Sequence, residues 1–239
     1  MLPRGSTSTL RLLSLANMAK TVAIYGMARN LRNTPRPLPG VEVWLCNQPS
    51  GYVKRLGLDR ATNEWTRYFN LHARSWIEKT YGKYNIDWLR DVANGRPLLL
   101  QKAWPDLPTS VAFPRHEIQN YFATAKGPNQ YFVCTVCWQI ALAIYEGFER
   151  IELWGFALRD TKLPAERWGY ERPAFFYWVK QAMDRGIEVI YQDAVKKLPF
   201  VPGDPDTYDG LLYGYGTRPE PDWDGPSGLW VFSKPENKE

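Results

Sequence analysis

Thr21-Val-Ala-Ile-Tyr-Gly26-Met-Ala-Arg-Asn30 and Val41-Glu-Val-Trp-Leu-Cys46-Asn-Gln-Pro49 are the two stretches that decide the fold. Each is a short β-branched and aromatic run that stops at a small or amide residue and gives way to a polar turn. Apolar runs of this length, bounded by turn residues, read as buried strands. An α/β sheet ends its strands in this way at its carboxyl edge, where backbone N–H groups and side-chain amides face a nucleotide. The pair therefore predicts an α/β protein with a nucleotide-handling edge, without specifying a reaction.

Further segments extend the pattern. Thr66-Arg-Tyr-Phe-Asn-Leu-His72 reads as a strand ending at a histidine, and Pro97–Gln101, Val111–Phe113, Arg150–Phe156 and Ile187–Tyr191 as further extended pieces. Residues 73–93 read as helical with a break near Gly82 and Asn85, and 115–123 as a short helix. From Thr135, Ile140, Ala141, Ile144 and Phe148 recur at helical spacing while Trp138, Leu142 and Tyr145 cover another face, so this helix is buried on more than one side, with Gly147 at its end. Pro173 suits the first turn of a helix over 174–185 that Gly186 caps. Strand, helix, strand in this order predicts a Rossmann-like parallel sheet with helices on both faces.

Two connections stand apart. Residues 50–66 are a variable link. Arg29 to Gly40 carries Pro35, Pro37 and Pro39, too many for a helix, and Arg29, Arg32 and Arg36 either reach a phosphate or form a solvated basic loop. The expected organisation is a leader or disordered extension over 1–17, one nucleotide-binding domain over 18–198, and a tail over 199–239 that wraps it. That tail is rich in Pro, Gly and Trp and holds seven of the 19 prolines.

Composition narrows the partners. A net charge of +5 with a pI near 9.0 suits anionic ligands such as nucleotides, but no Lys/Arg run is long enough to argue DNA binding alone. No stretch of about 18 apolar residues is present, so no membrane partner is expected. The 11 tryptophans fill a core or line ligand surfaces. Three cysteines, too few and too odd in number for a disulfide framework, predict a reducing, cytoplasmic compartment.

In order along the chain, several motifs resemble one superfamily: the single-Rossmann bacterial sialyltransferases, the archaeal-type hydroxymethylpterin pyrophosphokinases and many phage-encoded proteins. Gly26-Met-Ala-Arg-Asn-Leu31 resembles the glycine-rich "GxGPSL" turn after their first strand. Cys46-Asn47-Gln48 is similar to the sialyltransferases' "CNQ". Thr135 to Gly147 is similar to their "TSG…A…G" helix, and Ile151–Ala157 to the "IxLxGxD" strand that follows it. Arg67–His72, Tyr170–Pro173 and Tyr213-Gly214 resemble the "RxFxLH", "Y-Q/E-R-P" and "YG" motifs of the phage proteins. The likeness spans roughly residues 20–216. The chain departs from the pattern at Ala28, Arg29-Asn30, Val136-Cys137 and Ala157, so the resemblance implies the nucleotide-binding scaffold rather than CMP-sialic acid itself.

Candidate site residues follow. Gly26, Ala28, Arg29 and Asn30 form a tight turn after the first strand; small residues admit a phosphate or base, and an ordinary strand-ending turn is the alternative. Asn47 offers a carboxamide to a base edge or ribose, or stabilises the turn before Pro49. His72 sits at a strand's carboxyl end, and an imidazole with an ordinary pKa near 6.5 can take a proton from a hydroxyl; a helix-capping role is the alternative. His116 is a weaker candidate. Thr135 opens a helix whose N-terminus attracts phosphate. Glu171 can accept a hydroxyl and Arg172 hold a phosphate, or the two form an exposed ion pair. Tyr213 and Tyr215 either close over the sheet edge as a lid or pack in the core or tail. Cys134-Thr-Val-Cys137 is a Cys-x-x-Cys at a helix start: a redox pair or, given its apolar neighbours, buried structural thiols.

The leading expectation is a metal-independent glycosyltransferase-like transferase. It moves a sugar from a nucleotide-activated donor, CMP- or UDP-linked, to an acceptor hydroxyl on a phage DNA base, a protein or a glycan, and it needs no cofactor. The alternatives are a nucleotide or nucleic-acid binding module without catalysis, and a pyrophosphoryl or nucleotidyl transferase.

Overall fold

The computed structural model describes residues 19–124, 131–156 and 165–191. The expected leader over 1–17, the tail over 199–239 and Tyr213 and Tyr215 within it lie outside these residues. Seven strands, β1 (Thr21–Tyr25), β2 (Glu42–Cys46), β3 (Arg67–Asn70), β4 (Leu98–Leu100), β5 (Ser110–Ala112), β6 (Arg150–Trp154) and β7 (Glu188–Tyr191), form one parallel sheet in the order β5-β4-β3-β2-β1-β6-β7. This is the Rossmann-like α/β architecture that the sequence predicts. No described helix is long and apolar enough to cross a membrane.

Side chains alternate across the central strands because the pleat has a period of two. On β1, Val22 and Ile24 face one core and Ala23 and Tyr25 the other; on β2, Trp44 and Cys46 oppose Val43 and Leu45. Helices α1 (Pro49–Leu56), α2 (Leu58–Asn63), α3 (Arg74–Tyr81) and α4 (Lys83–Val92) cover the second face, with Tyr52, Ala61, Ile77, Ile86 and Leu89 in its core. Helices α5 (Arg115–Tyr121), α6 (Thr135–Tyr145) and α7 (Ala165–Met183) cover the first. Nine of the eleven residues of α6 are buried, so it is apolar all round. Gly147, at φ 71°, supplies the left-handed turn that frees the chain into β6.

Three expectations change. Arg29–Asn33 is a 3-10 helix, ending before the prolines begin at Pro35. The proline loop is pinned to α2: Arg36 pairs with Asp59 (3.2 Å) and Glu64 (2.6 Å), and Arg60 donates to the carbonyls of Thr34 and Pro35. Arg36 therefore serves the loop's anchorage rather than a phosphate. Residues 50–66 are not an irregular link but mostly the helices α1 and α2, started by Pro49 in the first turn and divided at Gly57, whose φ is 83°. Finally, α7 begins at Ala165, so Pro173 lies inside the helix and Glu171 and Arg172 sit on it rather than before it. A proline ring crowds the carbonyl four residues back. That residue is Gly169, the type with the widest backbone freedom.

Candidate functional site

The order of strands reverses at β1: the chain runs outward through β2 to β5 and returns beside β1 as β6. Ligands of open α/β sheets bind at the carboxyl ends flanking such a switch point. Here β1 and β6 end in facing glycines, Gly26 and Gly155. A Cβ on Gly26 would lie 2.5 Å from the Gly155 carbonyl oxygen and 2.7 Å from the Phe156 ring. A Cβ on Gly155 would lie 2.9 Å from the Gly26 oxygen. The Gly26 N–H donates to Trp154 O (2.7 Å) and the Ala28 N–H to Gly155 O (2.8 Å). The amides expected to face a ligand are thus satisfied within the protein, and the glycine pair is required by close backbone approach. Arg29 and Asn30 open the 3-10 helix that follows.

The neighbouring notch, between β2 and β3 and under the start of α6, brings together Asn47, His72 and Thr135. Asn47 directly follows β2 at φ 63°, a left-handed conformation that Asn tolerates. Its N–H donates to Phe69 O (2.9 Å), prolonging the sheet ladder. Its carbonyl accepts from the Tyr68 hydroxyl and from Asn70 Nδ2 (3.3 Å). Its side-chain Oδ1 accepts from the Thr135 hydroxyl (3.1 Å), which tethers the first turn of α6 to the sheet edge. Among the described residues no partner takes the Asn47 Nδ2 protons.

His72 is held by the same network. Asn70, buried at the end of β3, accepts the His72 N–H on Oδ1 (3.3 Å). This is an Asx-type turn. The imidazole stacks on Trp76 at 3.8 Å between centroids, and Trp76 is 40% exposed. Asn47, His72 and Thr135 therefore converge through Asn70. Gly26 joins them only through the floor: the Tyr52 hydroxyl donates to Tyr25 O (2.6 Å), lies 3.0 Å from Cys46 O and accepts the Cys46 N–H (2.9 Å). Arg172 is half-buried on α7 with its guanidinium 6.0 Å from the Phe176 ring, and Glu171 precedes it on the same helix. His116 is exposed in the first turn of α5.

Asn70, Tyr52, Tyr68 and Trp76 do not stand out from the sequence. The available signal is an amide ending β3 just as Asn47 follows β2.

The floor is a cluster of buried acids that stay protonated. Desolvation pushes the Tyr25 hydroxyl and the Cys46 thiol up to about 12, and raises Tyr52 and Tyr68 as well. In an unfolded chain these groups ionise near pH 8.5 to 10. A raised native value stabilises the fold below the unfolded value, and that contribution is lost as pH climbs toward the native value. The melting temperature is therefore expected to decline steadily between about pH 9 and pH 12. A midpoint that is flat over that range in a calorimetric pH series would contradict this assignment of the floor.

No protein-family model matches the chain, and no curated protein matches it in sequence. Among solved structures, it is similar to the sialyltransferase CstII from Campylobacter jejuni in complex with a substrate analogue, cytidine-5'-monophosphate. The identity is 15%, the match covers 75% of this chain and 82% of that one, and the TM-score is 0.46. It is also similar to sialyltransferase CST-II in complex with a trisaccharide acceptor and CMP, at 17% identity, 72% and 80% coverage and a TM-score of 0.44.

Proposed function

We propose that this protein is a glycosyltransferase-like enzyme that binds a nucleotide-activated sugar at the Asn47 notch and transfers the sugar to an acceptor hydroxyl. The observation that carries the reading is the orientation of Asn47. The Thr135 hydroxyl fixes its Oδ1 (3.1 Å), so its Nδ2 is the half left to donate to a base or phosphate oxygen. The sequence motifs through Asn47 and Thr135 support the same reading. His72 takes the proton of the acceptor hydroxyl, whose oxygen attacks the anomeric carbon of the donor. The bond from that carbon to the phosphate oxygen breaks, and the nucleotide leaves as an anion. The start of α6 at Thr135 and a basic side chain, Arg29 or Arg172, stabilise that anion. The donor is a CMP- or UDP-linked sugar, and the acceptor hydroxyl belongs to a glycan, a protein or a modified DNA base.

The residues gathered at the notch are amides, hydroxyls and an imidazole. Among the described residues no three His, Cys, Asp or Glu side chains are grouped to share a metal ion.

A thermal-shift panel of nucleotides and nucleotide sugars tests the proposal. A true donor at about one hundred times its Kd stabilises the native state by about 2.7 kcal/mol. For a chain of this size that raises the midpoint by about 5–10 °C. Asn47→Ala should abolish the shift. If no nucleotide or nucleotide sugar moves the midpoint, the reading fails.

A further inference from the structure

We infer that Cys134 and Cys137 are a reversible dithiol–disulfide pair, a modification site that closes by exchange with a low-molecular-weight disulfide such as oxidised glutathione. The two sulfurs lie 3.3 Å apart, and both residues are free thiols. A disulfide requires about 2.05 Å. The gap to be closed is therefore about 1.3 Å, within reach of a side-chain rotation. The backbones are already tied, because the Cys137 N–H donates to Cys134 O at 3.0 Å. Cys134 is the N-cap of α6, with extended backbone at φ −149° and ψ 164° and no side-chain capping bond to lose. Rotation there disturbs no helical hydrogen bond.

The two thiols differ in a way that assigns their order of reaction. Cys134 is half-buried and is the more accessible of the two, whereas Cys137 is fully buried. Burial also pushes the Cys137 thiol well up, so it does not compete as the first nucleophile. The Cys134 thiolate attacks one glutathione sulfur; the glutathione S–S bond breaks, and the other half leaves as a thiolate that takes up a proton. Cys137 then attacks Cys134 Sγ, expels the second glutathione and passes its own proton to it. One disulfide is reduced to two thiols as the Cys134–Cys137 bond forms, so electrons and protons balance. The third cysteine, Cys46, is buried, with its sulfur 3.6 Å from the Tyr52 hydroxyl and 3.8 Å from Tyr25 O.

The closed bond would cross-link the N-cap to the first turn of α6. Thr135, which holds Asn47, sits between the two sulfurs in sequence. The pair itself does not depend on nucleotide binding.

The experiment uses the full chain treated with oxidised glutathione, quenched, unfolded, alkylated and read by peptide mass spectrometry. In the wild type, Cys134 and Cys137 should both lose reactivity together, retain no glutathione and regain reactivity in dithiothreitol, while Cys46 is alkylated throughout. Cys137→Ser should trap glutathione on Cys134 at about tenfold or more above wild type, because the resolving thiol is gone. Cys134→Ser should leave Cys137 reduced. The inference is overturned if the wild-type pair remains alkylatable, if glutathione stays on Cys134 beside a reduced Cys137, or if Cys46 is the partner found. The wild-type measurement decides the matter even if either serine variant fails to fold.

Discussion

Replacing Gly26 with alanine is expected to lower the thermal midpoint by about 6–12 °C, following from about 3 kcal/mol of overpacking. The added methyl would sit 2.5 Å from the Gly155 carbonyl oxygen and 2.7 Å from two carbons of the Phe156 ring. The first contact is with backbone, which cannot rotate away. The second is with a ring buried in the core beside α7, against Phe175 at 5.5 Å between centroids. Relief would require β1 and β6 to separate where the Gly26 N–H bonds Trp154 O and the Ala28 N–H bonds Gly155 O. Gly40→Ala is the matched control. Gly40 has a positive φ of 87°, but a Cβ there would meet nothing within 4 Å. It should cost only the left-handed penalty, about 1–2 kcal/mol. Calorimetry of the two variants checks the argument. If Gly26→Ala melts within about 2 °C of wild type, or no lower than Gly40→Ala, the switch point is not packed as described.

The two opening motifs are readable because their strands are buried on both faces. Val22 and Ile24 are fully buried on one side and Ala23 and Tyr25 nearly so on the other, which forces an unbroken apolar run into the sequence. The α6 helix is readable for the same reason. The start of α7 is not, because Pro173 is a strong local signal for a first turn and gives no warning that the helix already runs eight residues before it. Helices α1 and α2 escape the sequence because they are short and half-polar; what orders them is tertiary. Tyr52 is fixed by carbonyls from β1 and β2, and Arg60 by Glu64 and the proline loop. Within the candidate site, Asn47 can be named from its position at a strand end; the sequence runs the third strand on to His72, whereas β3 ends at Asn70 and His72 lies two residues beyond it. Asn70, which joins them, is hidden: an Asn at the end of an apolar run does not reveal that it spans to a neighbouring strand.

His72→Ala is expected to reduce kcat by about 10²–10⁴-fold on whichever nucleotide sugar stabilises the protein, while leaving nucleotide affinity nearly unchanged. The split follows from placement. The Asn47 side chain is oriented by Thr135, and its carbonyl is held by Tyr68 and Asn70, none of which needs the imidazole. The His72 backbone is held by the Asn70 bond to its N–H, and its imidazole stacks on Trp76. Asn70→Ala should therefore do what His72→Ala cannot. It removes the donor to Asn47 O and the acceptor for His72 N–H together, so that binding and turnover fall in parallel. Asn70 is a positioning residue, and the KM-against-kcat pattern of the two variants separates the roles. Turnover by His72→Ala within about threefold of wild type would remove the histidine from the chemistry. A wild type that binds nucleotide sugars and turns none of them over would make the Asn47 notch a binding site alone, in which His72 merely caps the turn into α3.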